Sequence, residues 1–269
     1  MPKFLHKTVV ITGACAGIGR ALALRFGEAG ARIALVDIRD EELAAFSEHL
    51  ESRSVYSKGY HCDTSVREQV KHCFQSIRED FGKIDVLINN AGITHHSAFE
   101  ETDPDVFQKI MDVNYFGALN CTRSALQSLI ENQGQVITMS SMAGFAPLEF
   151  RSAYSASKHA LHGLFDCLRV ELRNKNVNVM LACPGFTATD IYKHALRADG
   201  SISSQLQMTG KASAPADVAE EIYQAALKRK RLLILSNVDW RARLFARCVP
   251  GFFEKHLAHR ISGIARPSE

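Results

Sequence analysis

Tyr154 and Lys158 stand four residues apart in the run Ser152–His159, which reads Ser-Ala-Tyr-Ser-Ala-Ser-Lys-His. Apolar residues around them (Ala156, Ala160, Leu161, Leu164, Phe165, Leu168) recur at helical spacing. An i, i+4 pair on a helix shares one face, one side chain above the other. A phenol ionises only near pH ~10 and is a poor proton carrier at neutrality. An ammonium fixed beside it favours the phenolate and brings its pKa toward the range a general acid–base needs. The pair is therefore expected to move a proton, with the cation one helical turn away as the tuning group.

A second cluster points to a dinucleotide. Thr12-Gly13-Ala14-Cys15-Ala16-Gly17-Ile18-Gly19 follows a β-branched run and opens a helical pattern. Its spacing is G-x-x-x-G-x-G, not the commoner G-x-G-x-x-G, but its context is that of a phosphate-cradling turn. Glycines there permit close backbone approach, and the helix start offers unpaired N–H groups and positive potential. Asp37 ends the next strand-like run, eighteen residues after Gly19. A carboxylate at that place accepts bonds from ribose hydroxyls and repels a 2′-phosphate, which favours NAD over NADP. Arg39 weighs the other way, since it could swing toward a phosphate, whereas Ala16 offers no cation.

The elements that must position these groups alternate. Strands are expected over Thr8–Thr12, Arg32–Asp37, Val55–Cys62, Val86–Asn89, Gln135–Ser140, Val177–Ala182 and Leu232–Leu235. Helices are expected over Gly17–Ala29, Glu41–Glu51, Ser65–Phe81, a long stretch from Pro104 to Ile130, the Tyr154 helix, and Ala216–Lys228. Such alternation implies parallel pairing with right-handed crossovers, hence an α/β doubly wound, Rossmann-like sheet flanked by helices. Residues 1–236 are expected to form one dinucleotide-binding and catalytic domain, with 237–269 a basic amphipathic helical tail. The Gly-, Ser- and Thr-rich stretch 186–214 has weak periodicity and reads as a lid over the strand ends.

Composition bounds the class. The chain has 269 residues, 46% of them hydrophobic and 23% charged, as expected of a soluble globular protein. No run approaches the ~20 apolar residues of a membrane span. Met1–Lys7 carries no signal-peptide pattern, so a cytoplasmic location is expected. Seven scattered cysteines without a C-x-x-C pair suggest neither disulfides nor zinc. No metal site is expected; His95-His96 reads as a solvent-facing loop pair, with a substrate contact as the lesser reading. The net charge is +3. Between Lys228 and Arg260, however, nine Lys or Arg stand against Asp239 and Glu254, an excess of seven positive charges.

Taken together, the glycine loop 13–19, Asp63, Asn89-Asn90-Ala91-Gly92, Asn114, Ser140-Ser141, Tyr154-x-x-x-Lys158 and Pro184-Gly185 resemble the short-chain dehydrogenase/reductase family, in its branch of roughly 250 residues. The match extends from Thr8 to about Arg231. The resemblance implies that Ser141 bonds the substrate oxygen, Tyr154 exchanges its proton, and Lys158 holds the nicotinamide ribose and lowers the phenol pKa. Asn114 would hold a water that links the lysine to solvent. Cofactor contacts would come from Gly13, Cys15, Ala16, Gly17, Ile18, Gly19, Asp37 and Arg39. Further along the chain they would come from Cys62, Asp63, Asn90, Ala91, Gly92, Pro184, Gly185, Thr187 and Thr189. A homodimer or homotetramer is also implied.

Ile93, Phe145, Leu148, Phe150, Phe186 and Tyr192 follow strand ends and are expected to line a pocket for a lipophilic alcohol or ketone of steroid, retinoid or fatty-acyl character. In the tail, Asp239 is a candidate N-cap, Trp240, Leu244 and Cys248 share one helical face, and Arg243 and Arg247 form another strip. Pro250-Gly251 should break that helix before a second one carrying Phe252, Phe253, His256, Leu257 and Ile261. Such a tail suits the surface of a membrane, a partner subunit or the protein's own domain. Nucleic acid is not expected, because no readout motif accompanies the charge. Two other functions compete: an NADPH-dependent 3-oxoacyl thioester reductase, and a non-catalytic dinucleotide-sensing or membrane-associated binding module.

Overall fold

Parallel strands buried on both faces need apolar residues at nearly every position, and the strands of this chain supply them. A computed structural model of the protein describes residues 3–203, 212–235, 244 and 247–255. Its main sheet has seven strands. These are β1 (Thr8–Thr12), β2 (Arg32–Asp37), β3 (Ser57–His61), β4 (Val86–Asn89), β5 (Gln135–Met139), β6 (Asn178–Cys183) and β9 (Leu232–Ile234). All neighbours pair in parallel, in the order β3-β2-β1-β4-β5-β6-β9. The chain leaves β1 first toward β2 and later returns to its other side as β4. Beyond the carboxyl ends of β1 and β4 lies the switch point where open sheets of this kind hold ligands. A two-residue antiparallel pair, β7 (Ala195–Leu196) with β8 (Ile202–Ser203), stands apart from the sheet within the segment expected to be a lid.

Period-two alternation divides the core. Val9 and Ile11 of β1 pack with α1 (Gly17–Glu28), α2 (Asp40–Ser52) and α7 (Pro215–Leu227), whereas Val10 joins α3 (Arg67–Phe81), α5 (Gly117–Glu131) and α6 (Ser152–Glu171) on the other face. Each fully buried Phe, Leu or Ile side chain contributes about 1.5–3 kcal/mol relative to exposure. Phe26, Phe46, Phe74 and Phe165 are among the largest.

The long helix expected from Pro104 to Ile130 is divided. It consists of α4 (Pro104–Met111), a π turn Asp112–Phe116 and α5. Asn114 lies in that turn, almost fully buried. One extra residue in the turn re-aims a side chain, and such turns recur at functional sites. Pro250 also departs from expectation. It takes the first position of a short helix, Pro250–Phe253, where a missing N–H costs nothing, and so begins a helix. Phe253 is fully buried against Met142 and Ala146, so this part of the tail packs on its own domain. The amphipathic helix expected around Asp239–Arg247 and the residues from His256 onward lie largely outside the described residues, as do 204–211 of the expected lid. Among the described residues no helix is long and apolar enough to cross a membrane.

Candidate functional site

Close backbone approach explains the glycines. Gly13 and Gly17 adopt φ of +62° and +51°, the left-handed region that side chains rarely enter. A Cβ on Gly19 would stand 2.1 Å from the Gly13 carbonyl oxygen, and one on Gly13 would stand 2.9 Å from Ala91 Cα. A Cβ on Gly17 would stand 2.8 Å from the Thr189 methyl. The turn after β1 is thus packed against the segments after β4 and β6. Asn90 locks it by donating from Nδ2 to the carbonyls of Thr12 and Gly13, both at 3.0 Å. The Thr12 hydroxyl accepts from the N–H groups of Asn90 and Ala91. Ala16, the N-cap of α1, makes no side-chain capping bond. Ile18 packs into the core beneath.

Asp37 ends β2 beside this turn. Its carboxylate accepts from the Cys15 N–H at 2.9 Å, from the N–H groups of Ile38 and Arg39, and from the Arg39 guanidinium through Nε (3.0 Å) and Nη2 (3.2 Å). Burial works to raise its pKa, but these donors outweigh that, and the group is held below its ordinary value. The Cys15 thiol is pushed up to about 12 by burial and by Asp37, which keeps it neutral. Asp63 closes its own turn by accepting from the N–H and hydroxyl of Ser65. Cys62 is buried, and its thiol hydrogen-bonds the free thiol of Cys73.

Tyr154, Lys158, Ser141, Asn114 and Gly92 come together. Lys158 is buried, and its Nζ donates to the Met139 carbonyl at 2.9 Å and lies 5.6 Å from the Tyr154 ring centre. A Cβ on Gly92 would stand 3.1 Å from Asn114 Oδ1 and 3.6 Å from Lys158 Nζ. Asn114 bonds both main-chain groups of Ile93 and the Ser157 hydroxyl, tying the end of β4 to α6. Both its amide hydrogens are thereby used, so any water it holds must bind elsewhere on the residue. Ser141 begins a short turn, its hydroxyl accepting from the Ala143 N–H, and it also hydrogen-bonds the Tyr154 phenol. After β6, the Pro184 carbonyl accepts from Met142 N–H, and the Thr187 hydroxyl donates to the Gly185 carbonyl.

Burial dominates the electrostatics of the pair. Burial, with Tyr192 nearby, pushes the Tyr154 phenol up to about 12, while Ser141 and Arg151 lower it. Lys158 is itself brought down to about 8 by burial. Spacing places the two residues on one face but does not report how deeply both are buried, and burial dominates here.

That depression has a consequence for stability. A lysine whose folded pKa lies near 8 instead of 10.5 carries its full desolvation cost below pH 8, and the cost is relieved as pH rises toward 10.5. At about 1.4 kcal/mol per pH unit the cost is roughly 3 kcal/mol, less about 1 for the bond to Met139. Lys158→Met is therefore expected to be about 2 kcal/mol more stable at pH 7 in urea titrations without cofactor, with the rise in stability between pH 8 and 10.5 reduced. Destabilisation with an unchanged pH slope would contradict this.

Two features were not read from the sequence. His95 and His96 are buried, and burial and Arg151 bring both down to about 4, so both are neutral near pH 7. The expectation of solvent-facing histidines is corrected: β7 covers them, Leu196 pairing with His95 and accepting from the His96 N–H. Arg151, just before α6, is a buried cation next to Tyr154; a single charged residue in an otherwise ordinary helix start gave no signal of that. Of the expected pocket residues, Phe145 and Leu148 pack beside Phe253, Ile93 beside Leu196, and Phe150 beside His96. Tyr192 stacks with Arg151. A cavity of about 330 Å³ lies between Ala98–Glu100 and Leu148–Phe150, but Ser141, Tyr154 and Lys158 do not line it. Among the described residues no cluster could hold a metal ion.

Comparison with known proteins gives consistent matches. A family model described as short chain dehydrogenase matches residues 7–199. The chain is 36% identical over 264 residues to Dehydrogenase/reductase SDR family member 7B of Bos taurus, covering 95% of this chain and 81% of that protein. It is 34% identical over 248 residues to Dehydrogenase/reductase SDR family protein 7-like of Drosophila melanogaster, covering 90% and 76%. A crystal structure of a short chain dehydrogenase/reductase SDR from Burkholderia phymatum in complex with NAD superposes with a TM-score of 0.80 at 24% identity, covering all of both chains. That likeness shows a shared fold.

Proposed function

The chain belongs to the short-chain dehydrogenase/reductase family, an oxidoreductase family using a nicotinamide cofactor, and from that premise we propose that it interconverts a lipophilic secondary alcohol and its ketone with NAD. The observation that carries this reading is the meeting of Ser141, Tyr154 and Lys158 beside Gly92, at the switch point of the sheet. When bound, the cofactor supplies or accepts the hydride. The residues fit such a group: a turn so tightly approached that side chains are excluded, followed by an α1 start without a side-chain cap.

In this reading Gly13 to Gly19, with Asn90 to Gly92, hold the diphosphate and adenosine side, while Thr187 and Thr189 border the nicotinamide. Ser141 orients the substrate oxygen. Tyr154 passes its proton to that oxygen during reduction and, ionised, takes it back during oxidation. Lys158 holds the ribose hydroxyls. The apolar cluster of Phe145 and Leu148 with Met142, which follows Ser141 directly, supports a lipophilic substrate. A homodimer or homotetramer belongs to the proposal, supported by the exposure of Phe116 and Val170. The test is a panel of ketones and alcohols, together with an acyl thioester, followed by nicotinamide absorbance with each cofactor. Turnover of the thioester alone with NADPH would replace this reading with the reductase alternative.

Asp37 supports NAD, and Arg39 is folded onto it. Removing the carboxylate frees that guanidinium for a 2′-phosphate. Asp37→Ala is expected to weaken NAD and shift the NADP-to-NAD preference by about 10- to 100-fold, the range of one charged hydrogen bond. Fluorescence titration with both cofactors measures it, and an unchanged ratio would contradict the assignment.

A further inference from the structure

Arg151 is 4% exposed. A buried cation is costly unless paired and hydrogen-bonded. Its Nη1 donates to the Thr94 hydroxyl at 2.9 Å and the Tyr192 phenol also bonds it, but Nη2 has no partner. The groups acting on its charge are the phenols of Tyr192 and Tyr154, and no carboxylate is among them. The guanidinium carbon stands 5.0 Å from the Tyr192 ring centre and 6.0 Å from that of Tyr154.

Around it the buried polar groups are unusually short of partners. Five of the ten unpartnered buried side-chain atoms among the described residues belong to His95, Arg151, Ser152 and Ser155. Both His95 ring nitrogens are included, and that ring is neutral near pH 7. A neutral ligand or a cluster of waters would satisfy the hydrogen bonds but leave the charge uncompensated. An oxyanion does both, and a guanidinium is the side chain best suited to it.

We infer that Arg151 is the receptor for an anionic oxygen group on the substrate, a carboxylate or a phosphate carried a few bonds from the reacting carbonyl. At ~1.5 Å per bond, the 6.0 Å from the guanidinium carbon to the Tyr154 ring leaves room for only a short spacer. Thr94 and Tyr192 hold the guanidinium in place, and Nη2 donates to the anion. The substrate is then amphiphilic, with a lipophilic body toward Phe145 and Leu148 and an anionic group beside the reacting centre. This deepens the oxidoreductase reading above and rests on it.

The experiment compares three matched ketones: one bearing a carboxylate, one a phosphate monoester, and the neutral methyl ester of the first. For at least one anion, kcat/KM is expected to exceed that of the ester by about 10- to 100-fold, the worth of a hydrogen bond to a charged group. Arg151→Gln brings that ratio close to one, and Arg151→Lys leaves it intermediate. A merely structural defect lowers all three substrates together and leaves the ratio standing, which would overturn the inference. So would a wild-type ratio near one for both anions, a result that needs no variant to fold. Turnover of the ester without gain from either anion overturns the receptor and leaves the oxidoreductase reading intact. No turnover of any ketone with either cofactor overturns both.

Discussion

Tyr154→Phe is expected to lose about 10³-fold or more in kcat, within the 10²–10⁴-fold that a positioned general acid–base contributes, while its cofactor affinity stays at the wild-type value. Phenylalanine keeps the ring and its packing and removes only the oxygen. Neighbouring groups do not replace it. Lys158 directs its ammonium at the Met139 carbonyl. The Ser141 hydroxyl is engaged with Ala143 N–H and with the phenol itself. His95 and His96 are neutral near pH 7 and covered by β7, the His162 ring is bonded to the Ser140 hydroxyl, and the His159 ring to the Ser155 carbonyl. Steady-state kinetics on any ketone the wild type reduces, with cofactor titration alongside, measure both quantities. A variant with wild-type kcat would remove Tyr154 from the chemistry.

Gly19→Ala is expected to lower cofactor affinity by roughly 100-fold and to destabilise the protein by about 1–3 kcal/mol, as inserted methyl groups do in packed backbone. Its Cβ would meet the Gly13 carbonyl at 2.1 Å and the Asn90 amide at 2.5 Å. Neither can retreat easily. Gly13 is fixed in the left-handed region, and Asn90 bonds the main chain on both sides of it. Gly163 is the internal control. It lies on α6 with nothing within 4 Å of a built Cβ, so Gly163→Ala gains about 0.5–1 kcal/mol from helix propensity and leaves cofactor binding unchanged. Equal behaviour of the two variants in calorimetry and titration would contradict the account of the turn.

The strands were legible because each is a short apolar run between turn residues, and Thr8–Thr12, Arg32–Asp37 and Val86–Asn89 fall where expected. The pairing of Tyr154 with Lys158 was legible from the helical period alone. What period and spacing do not carry is depth. Nothing local in Thr94–Ser97 announces that a two-residue strand from a hundred residues later will cover His95 and His96. The π turn at Asn114 was hidden for a similar reason. It depends on bonds to Ile93 and Ser157, on two other elements, and not on its own neighbours. Arg151 is the sharpest case, since an arginine next to a helix start reads as a solvated charge until Thr94, Tyr154 and Tyr192 close around it.

Depth also changed the electrostatic picture. Although the ammonium stands one helical turn away, burial pushes Tyr154 up to about 12 in the absence of cofactor. An oxidised nicotinamide bound beside Lys158 would add a second positive charge near the phenol and favour its ionised form. An ultraviolet titration of phenolate absorbance, comparing wild type with Tyr154→Phe, isolates this one residue. Without cofactor its step is expected near 12. With saturating oxidised cofactor the step falls by roughly 1 to 3 pH units, the usual effect of an opposite charge close by. A step that stays in place when the cofactor binds would contradict the central claim.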